Sequence, residues 1–469
     1  MKKFLAICLS VILVGCSAID GFTIDKSARL SFPSDTLKFD TVFGGLPSTT
    51  YTFFLANGGS DGLRINSASL RSGGVSGFRM LLDGQSGPSV AGIDVGKEDS
   101  VFLMVDLCPP INKGEIYSSC IDHIDFVLEG GGTQSLVLKA DVLNANIVHD
   151  LSISRDTLID SSQPLLVIDS IVVGNDASLE LAPGTMLYFR PKAKMRVDGT
   201  IHVNGCLEHP VVFRGDRLDN LLSNLPYDRV SGQWGGVEIS SQSYGNSFNY
   251  VDIHSSNYGI KCLPADTSKT KLTLFNSLIH NVKENCLELN DCSALIINSQ
   301  ISNAAGNCVR LNGGSAKVYH STIAGFCPWS VSDVAFSAVP SERHNPTLEL
   351  CNSIVTGYSD NELSLSYEDS VACTDLFSVR NSLIRVKSVS DSIFVDCVAD
   401  VSDNAVSALD NFPLSDTKNY YYNFALSPDS KAVSLAAPWL LELCPFDRNG
   451  RKREPERIDA GCYQLCDDN

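Results

Sequence analysis

No Cys-x-x-Cys pair occurs in the 469 residues, which argues against a structural zinc site and a thioredoxin-like redox motif. Basic residues are in short supply: 36 Lys and Arg stand against 54 Asp and Glu, a net charge of −18. Long-range repulsion from such a surface disfavours nucleic acid and polyanionic ligands unless a local basic patch overrides it. Beyond Val14 no apolar run approaches the ~18 residues of a membrane-spanning helix. No P-loop or His-Glu-x-x-His is present either, so the common nucleotide and zinc-protease signatures give no lead. What is there is enough to fold. A hydrophobic content of 43% and an aromatic content of 8% are globular values, and the length suffices for two or more domains.

The N-terminus carries the most specific signal. Met1-Lys2-Lys3 is a basic opening, and Phe4 to Val14 is apolar but too short to remain as a spanning helix. It ends in Leu13-Val14-Gly15-Cys16, which resembles a bacterial lipobox. The resemblance implies cleavage before Cys16, lipid attachment there, a signal peptide over residues 1–15 and a tether over 16–29. Several acyl chains on one terminus anchor a protein stably. The alternative is an ordinary secretory signal with an incidental cysteine. The expected location is the bacterial outer membrane. Ser17-Ala18-Ile19-Asp20 holds a single acidic residue, which leaves surface-exposed and periplasm-facing placements both open.

Setting aside Cys8 and Cys16, the mature body holds 14 of the 16 cysteines, an even number suited to an exported, disulfide-permissive compartment. Cys108 and Cys120 bracket a Pro/Gly-rich excursion as a candidate local bridge. Cys444, Cys462 and Cys466 are placed to tie down the C-terminal tail.

Residues 30–143 show no helical period. Thr50-Tyr51-Thr52-Phe53-Phe54-Leu55, Phe78-Arg79-Met80, Ser100 to Asp106, Ile124 to Leu128 and Ser135 to Ala140 are short strand-like runs. Between them lie turn clusters such as Asn57-Gly58-Gly59 and Gly130-Gly131-Gly132. About seven such strands are expected, the count of an immunoglobulin-like sandwich. Their order resembles the Ig-like domains that precede β-helices in Bacteroidetes lipoproteins, where such a domain serves as a spacer or platform.

From about Ile147 the chain repeats itself. Between Leu179 and Ile239, Pro183-Gly184-Thr185 and Asp198-Gly199-Thr200 each open a short alternating run, too closely spaced for intervening helices. Further on, Asn276-Ser277-Leu278-Ile279, Asn298-Ser299-Gln300-Ile301, His320-Ser321-Thr322-Ile323 and Asn352-Ser353-Ile354-Val355 align. The anchors Ile253, Ile279, Ile301, Ile323, Val355 and Ile384 are 26, 22, 22, 32 and 29 residues apart. About 22 residues suits one coil of three short strands, with the longer intervals carrying loops. The pattern predicts an all-β chain: an Ig-like β-sandwich, then a right-handed parallel β-helix (a three-sheet solenoid) over residues 147–425, then a cap or tail over 426–469.

Finer expectations follow from that register. Asn281, Asn303, Gly325 and Gly357 are read as a recurring left-handed bend resembling an asparagine ladder. Lys261, Glu288 and Arg310 should form an outward column of alternating charge. Cys286 and Cys308 share its parity, either bridged or as two thiols. His254 and His280 should be stacked on adjacent coils, a surface pair rather than a metal site. The tail resembles the Ser-Pro…Asp-x-x-Gly-x-x-Arg endings of bacterial β-helix proteins, through Ser427-Pro428, Asp447, Gly450 and Arg453.

The excursion from Phe213 to Gly236 resembles a recurrent segment of uncharacterised Bacteroidetes β-helix lipoproteins. Within it Asp216, Arg217, Asp228 and Trp234 are the candidate glycan ledge, an aromatic face beside hydrogen-bonding charges. The alternative is a self-packed loop with Arg217 paired to an Asp and Trp234 over the core. Galacturonase blocks such as Asn-Thr-Asp, Gly-His-Gly and Arg-Ile-Lys are missing. Arg453-Glu454-Pro455-Glu456-Arg457, the nearest look-alike of a pectate-lyase cluster, lies in the tail. No catalytic residue, cofactor or metal ligand is assigned. The expected role is structural, adhesive or glycan-binding, with the membrane as one partner through Cys16. Glycans or other envelope or host proteins are the other expected partners, and nucleic acid is not. A polysaccharide lyase or glycoside hydrolase working on a coil face is the alternative.

Overall fold

The computed structural model describes residues 21–160, 162–328, 333–368, 371–401 and 405–466. Cys16 and the rest of the lipobox lie outside them. The chain divides into two compact units, one ending at Asn144 and the other beginning at Ala145.

The first unit is built of two sheets around one core. The larger has six strands, with Leu63–Leu70, Ser89–Val95, Tyr117–Leu128 and Thr133–Leu143 as its antiparallel body. The smaller has four, including Tyr51–Ala56, Phe78–Leu82 and Ser100–Leu107. Alternate residues of both, among them Leu55, Phe78 and Leu103 on one and Ile65, Ile124 and Phe126 on the other, are buried against each other. Among the described residues the unit holds ten strands where the sequence predicts about seven. The extra ones include Val42–Phe43 and Gln85–Ser86, two residues long, and Thr36–Lys38, three residues long, all too short to show a period.

The second unit is a parallel solenoid. Its strands enter three sheets in rotation, of 11, 9 and 10 strands among the described residues. Val251–His254, Ile260–Cys262 and Thr270–Phe275 make one coil; Leu278–Val282, Leu287–Asn290 and Ser293–Ile297 make the next. The six predicted anchors are direct neighbours in register, Ile253 to Ile279 to Ile301 to Ile323 to Val355 to Ile384. All are fully buried, and each such side chain contributes about 1.5–3 kcal/mol on leaving water.

Lys261, Glu288 and Arg310 do form a column, with Lys261 Nζ 3.2 Å from Glu288 Oε1. Arg310 turns instead to Asn312 and Asn307. Cys286 and Cys308 are not outward: both are buried in the core, because they stand at the corner just before their strands, where alternation does not yet apply. Each thiol donates to a carbonyl, Cys286 to Ser302 at 3.3 Å and Cys308 to Ala324 at 3.4 Å. Neither they nor Cys108, Cys120, Cys444, Cys462 or Cys466 form a disulfide. Cys120 Sγ contacts the Ser76 carbonyl and Cys462 Sγ the Thr322 hydroxyl.

The bends agree with expectation in part. Asn281 and Asn303 have φ of 54° and 57°, but the recurring left-handed position is Asn276, Asn298, His320, Asn352 and Asn381, with φ between 45° and 53°. Gly325 and Gly357 are glycine for room, since a Cβ on Gly357 would lie 2.2 Å from Glu362 Oε1. The residue after each bend is a serine. The Ser299, Ser321, Ser353 and Ser382 hydroxyls donate to the carbonyl two residues back at 2.7–2.9 Å. Each also accepts the N–H of the preceding coil's serine at 3.0–3.2 Å.

The C-terminal tail runs along the flank of several coils. Outward Ala324, Ile354 and Leu383 are apolar and pack under Phe424, Leu426 and Ala460. Arg453 is buried and donates to Asn298 Oδ1 at 2.8 Å, while Asp447 accepts the N–H groups of Asn449, Arg451 and Gln464. The Asp-x-x-Gly-x-x-Arg spacing is thus a staple between tail and bend ladder.

Candidate functional site

The excursion after Phe213 folds onto its own coil. Arg217 pairs with Asp219, and its guanidinium lies 4.0 Å from the Tyr227 ring centre. Asp216 is ion-paired with Arg190 at 3.3 Å, and burial pushes its carboxyl up. Trp234 is fully buried, stacked on Phe189, with Nε1 donating to the His254 carbonyl at 2.9 Å. The ledge expected from Asp216, Arg217, Asp228 and Trp234 is therefore not formed. The indole fills the coil interior beside Phe189, and two of the charges have partners inside the loop or on the adjoining strand. Asp228 alone of the four faces a cavity, where it is ion-paired with Arg214.

That cavity is a cleft of about 380 Å³ over the outward face of the 11-stranded sheet. Its floor comes from register. Asp252, Leu278 and Gln300 form one outward column, and His254, His280 and Ser302 the next. The two imidazoles are stacked as predicted, 5.1 Å between centres and 22° from parallel. They are more than a surface pair, because His280 Nε2 stands 3.0 Å from Asp252 Oδ1. Burial works against charge on Asp252, but the two imidazoles and this hydrogen bond outweigh it and hold the carboxyl well below the usual range. Burial lowers His254 to about 4, against the pull of Asp252, and its Nδ1 lies 2.9 Å from Ser255 Oγ. Tyr463 donates to Gln300 Oε1 at 2.7 Å, and Gln300 Nε2 to Ser302 Oγ at 3.0 Å.

Two distant loops wall the cleft. One is the excursion, through Asp228 and Arg229; the other runs from Ser415 to Asn423 and carries Tyr420, Tyr421 and Tyr422. Asp416 organises the second: its side chain accepts the N–H groups of Lys418 and Asn419, and its backbone pairs with Tyr421. Tyr420 closes the turn at a φ of 54°, which costs on the order of 1 kcal/mol in a bulky residue and persists where neighbours enforce it. Arg229 joins the loops, donating to the Asn419 carbonyl at 2.5 Å with its guanidinium 5.1 Å from the Tyr421 ring centre. Tyr421 remains 44% exposed, so an aromatic surface is left at the rim. The sequence signal for this wall was the Tyr420-Tyr421-Tyr422 run itself. Asp252 gave no signal beyond its place one residue before an anchor. Among the described residues no group of three or more His, Cys, Asp or Glu is arranged to hold a metal ion, and no helix is long and apolar enough to cross a membrane.

No protein-family model matches the sequence, and no curated protein matches it. Among solved structures, one match is the catalytic unit of a thermostable GH87 alpha-1,3-glucanase from Streptomyces thermodiastaticus strain HF3-3. It is 12% identical, with 79% of this chain and 81% of that chain covered and a TM-score of 0.31. A likeness that distant says nothing about what this chain does.

Proposed function

We propose that the protein is a lipid-anchored envelope protein that binds glycans in the cleft over the 11-stranded sheet. In this reading Cys16 carries the anchor in the outer membrane. The first unit is an immunoglobulin-like platform, and the second is a right-handed β-helix that presents the cleft. The observation that carries the glycan reading is the make-up of that hollow. The partly exposed Tyr421 ring lines it together with amide, hydroxyl and imidazole groups (Gln300, Asn303, Ser302, His280). A sugar has an apolar C–H face for the ring and a hydroxyl edge for fixed polar groups, and ligand sites commonly enclose about 300–1,000 Å³.

The test is a glycan array followed by calorimetry on the full chain. Binding is expected, and Tyr421→Ala and Gln300→Ala should each weaken it. A chain that binds no glycan, or binds one equally well with both substitutions, removes the reading. For the anchor, Cys16→Ser should shift the protein from the membrane fraction to the soluble one. The enzymatic alternative is favoured by one specific feature, the Asp252–His280 couple.

A further inference from the structure

We propose that the cleft is catalytic and acts on acidic glycans, with His280 removing the proton beside a sugar carboxylate. The proposal rests on the glycan reading above and names its substrate class and its chemistry. His280 donates from Nε2 to Asp252 at 3.0 Å, while Nδ1 has no protein partner among the described residues. A carboxylate at one ring nitrogen fixes the tautomer and leaves the other nitrogen as an oriented base. Asp252 is suited to that task because it stays ionised beside the imidazoles. His254 serves as the support: its Nδ1 is engaged by Ser255, and its ring holds the His280 ring by stacking.

The charges of the cleft point to the substrate. Asp228 is neutralised by Arg214, and the Asp252 carboxylate accepts the His280 Nε2–H. Arg229 lines the same hollow and has no carboxylate partner among the described residues; its contacts are the Asn419 carbonyl and the Tyr421 face. A fixed cation without a counter-ion suits a ligand that brings the carboxylate. This is the local exception to the repulsion expected from a net charge of −18. Glycoside hydrolysis by paired carboxyl groups needs one of them protonated, a need that Asp252, held ionised beside the imidazoles, does not meet. An oriented imidazole in the same cleft as a cation suited to a carboxylate meets the requirement of β-elimination.

In that reaction His280 Nδ1 takes the C5 proton of a hexuronate unit. The C5–H electron pair becomes a C4=C5 double bond as the bond from C4 to the glycosidic oxygen breaks. The departing oxygen takes the proton back from His280, so no water or co-reactant is consumed. Arg229 stabilises the charge that builds on the carboxylate.

The experiment incubates the full chain with polygalacturonate, alginate and chondroitin, with amylose as the neutral control. It follows the ultraviolet absorbance of the new double bond, with binding measured by calorimetry on the same samples. Absorbance is expected to rise with at least one acidic polymer and not with amylose. His280→Ala should lower kcat about 100-fold or more, the usual scale of a general base. Asp252→Asn, which preserves side-chain shape, should also lower kcat with less effect on binding. Binding of an acidic glycan without a double bond overturns the proposal, as do new reducing ends without a double bond or binding confined to neutral glycans. Absence of any glycan binding is a separate outcome, which removes the glycan reading as well.

Discussion

The Trp234 indole lies face to face with the Phe189 ring, with centres 4.2 Å apart and planes 9° from parallel. Through its hydrogen bond to the His254 carbonyl, the same side chain joins the interior packing of the coils to the backbone under the cleft. Trp234→Ala should therefore cost about 3–5 kcal/mol in denaturant unfolding, the scale of a large buried aromatic lost. Trp234→Phe retains much of the packing but drops the hydrogen bond, and about 1–2 kcal/mol is expected. If Trp234→Ala left stability intact while abolishing ligand binding, the ring would be a ligand platform after all.

The serine ladder gives a second expectation. Ser299→Ala leaves the buried Ser277 N–H without its acceptor and loses the Ser299 donor to the Ile297 carbonyl. An unsatisfied buried backbone group costs about 1–3 kcal/mol, so the unfolding midpoint should fall by that equivalent. A matched change at Ser152, an exposed serine in another sheet of the solenoid, is the control. Equal small effects at both positions would mean that the ladder carries no stability.

Much of the solenoid was legible because its signal is one-dimensional. Parallel register requires only that apolar residues recur once per coil, and Ile279, Ile301 and Ile323 do so at constant spacing. The inward-outward alternation of Leu287, Glu288 and Leu289 follows from strand geometry alone. It failed for Cys286, where the chain is turning. The left-handed bends at Asn281 and Asn303 were legible, but the one that recurs at Asn276, Asn298, His320, Asn352 and Asn381 was not, because φ is not written in residue type alone. Of the site, the His254–His280 stack was legible, since it lies within the repeat. Its roof was not: Arg229 meets Asn419 across 190 residues, a contact that no period encodes. The Trp234 ledge failed for a related reason, because an aromatic at the end of a polar loop reads the same whether it turns outward or into the coil.

Two buried groups should give opposing pH slopes. Glu362 sits between the Ala335 and Ser359 N–H groups, each 2.6 Å away, and burial pushes its carboxyl up to about 7 from 4.5. Between those values the unfolded chain ionises while the folded chain stays protonated, so stability falls as pH rises, by about 3 kcal/mol in all. His254 works the other way. Its folded value of about 4 lies below 6.5, so as pH drops through that window the unfolded chain takes up a proton that the folded chain refuses, and stability falls. Glu362→Gln should leave a protein that gains stability from pH 4 to 6.5, whereas His254→Gln should leave one that loses it from pH 4.5 to 7. Urea midpoints at constant ionic strength across that range decide it, and unchanged slopes in both variants would contradict the assignment.

The tyrosine loop should contribute to ligand affinity by being ordered beforehand. Asp416 holds the turn through the Lys418 and Asn419 N–H groups and through Asn419 Nδ2 at 2.6 Å. That turn sets where Tyr420 and Tyr421 stand. Asp416→Ala removes these acceptors from an exposed loop and touches no part of the coil core, so the thermal midpoint should not move. Glycan affinity should fall about tenfold, because binding must then order the loop as well as fill the cleft. The double variant Asp416→Ala with Tyr421→Ala separates positioning from direct contact. If Asp416 acts through the ring, the double variant binds no more weakly than Tyr421→Ala alone, a coupling that a double-mutant cycle reads directly. Additive losses would mean that Asp416 meets the ligand itself, and an undiminished affinity in Asp416→Ala would mean that the loop does not line the binding site in solution.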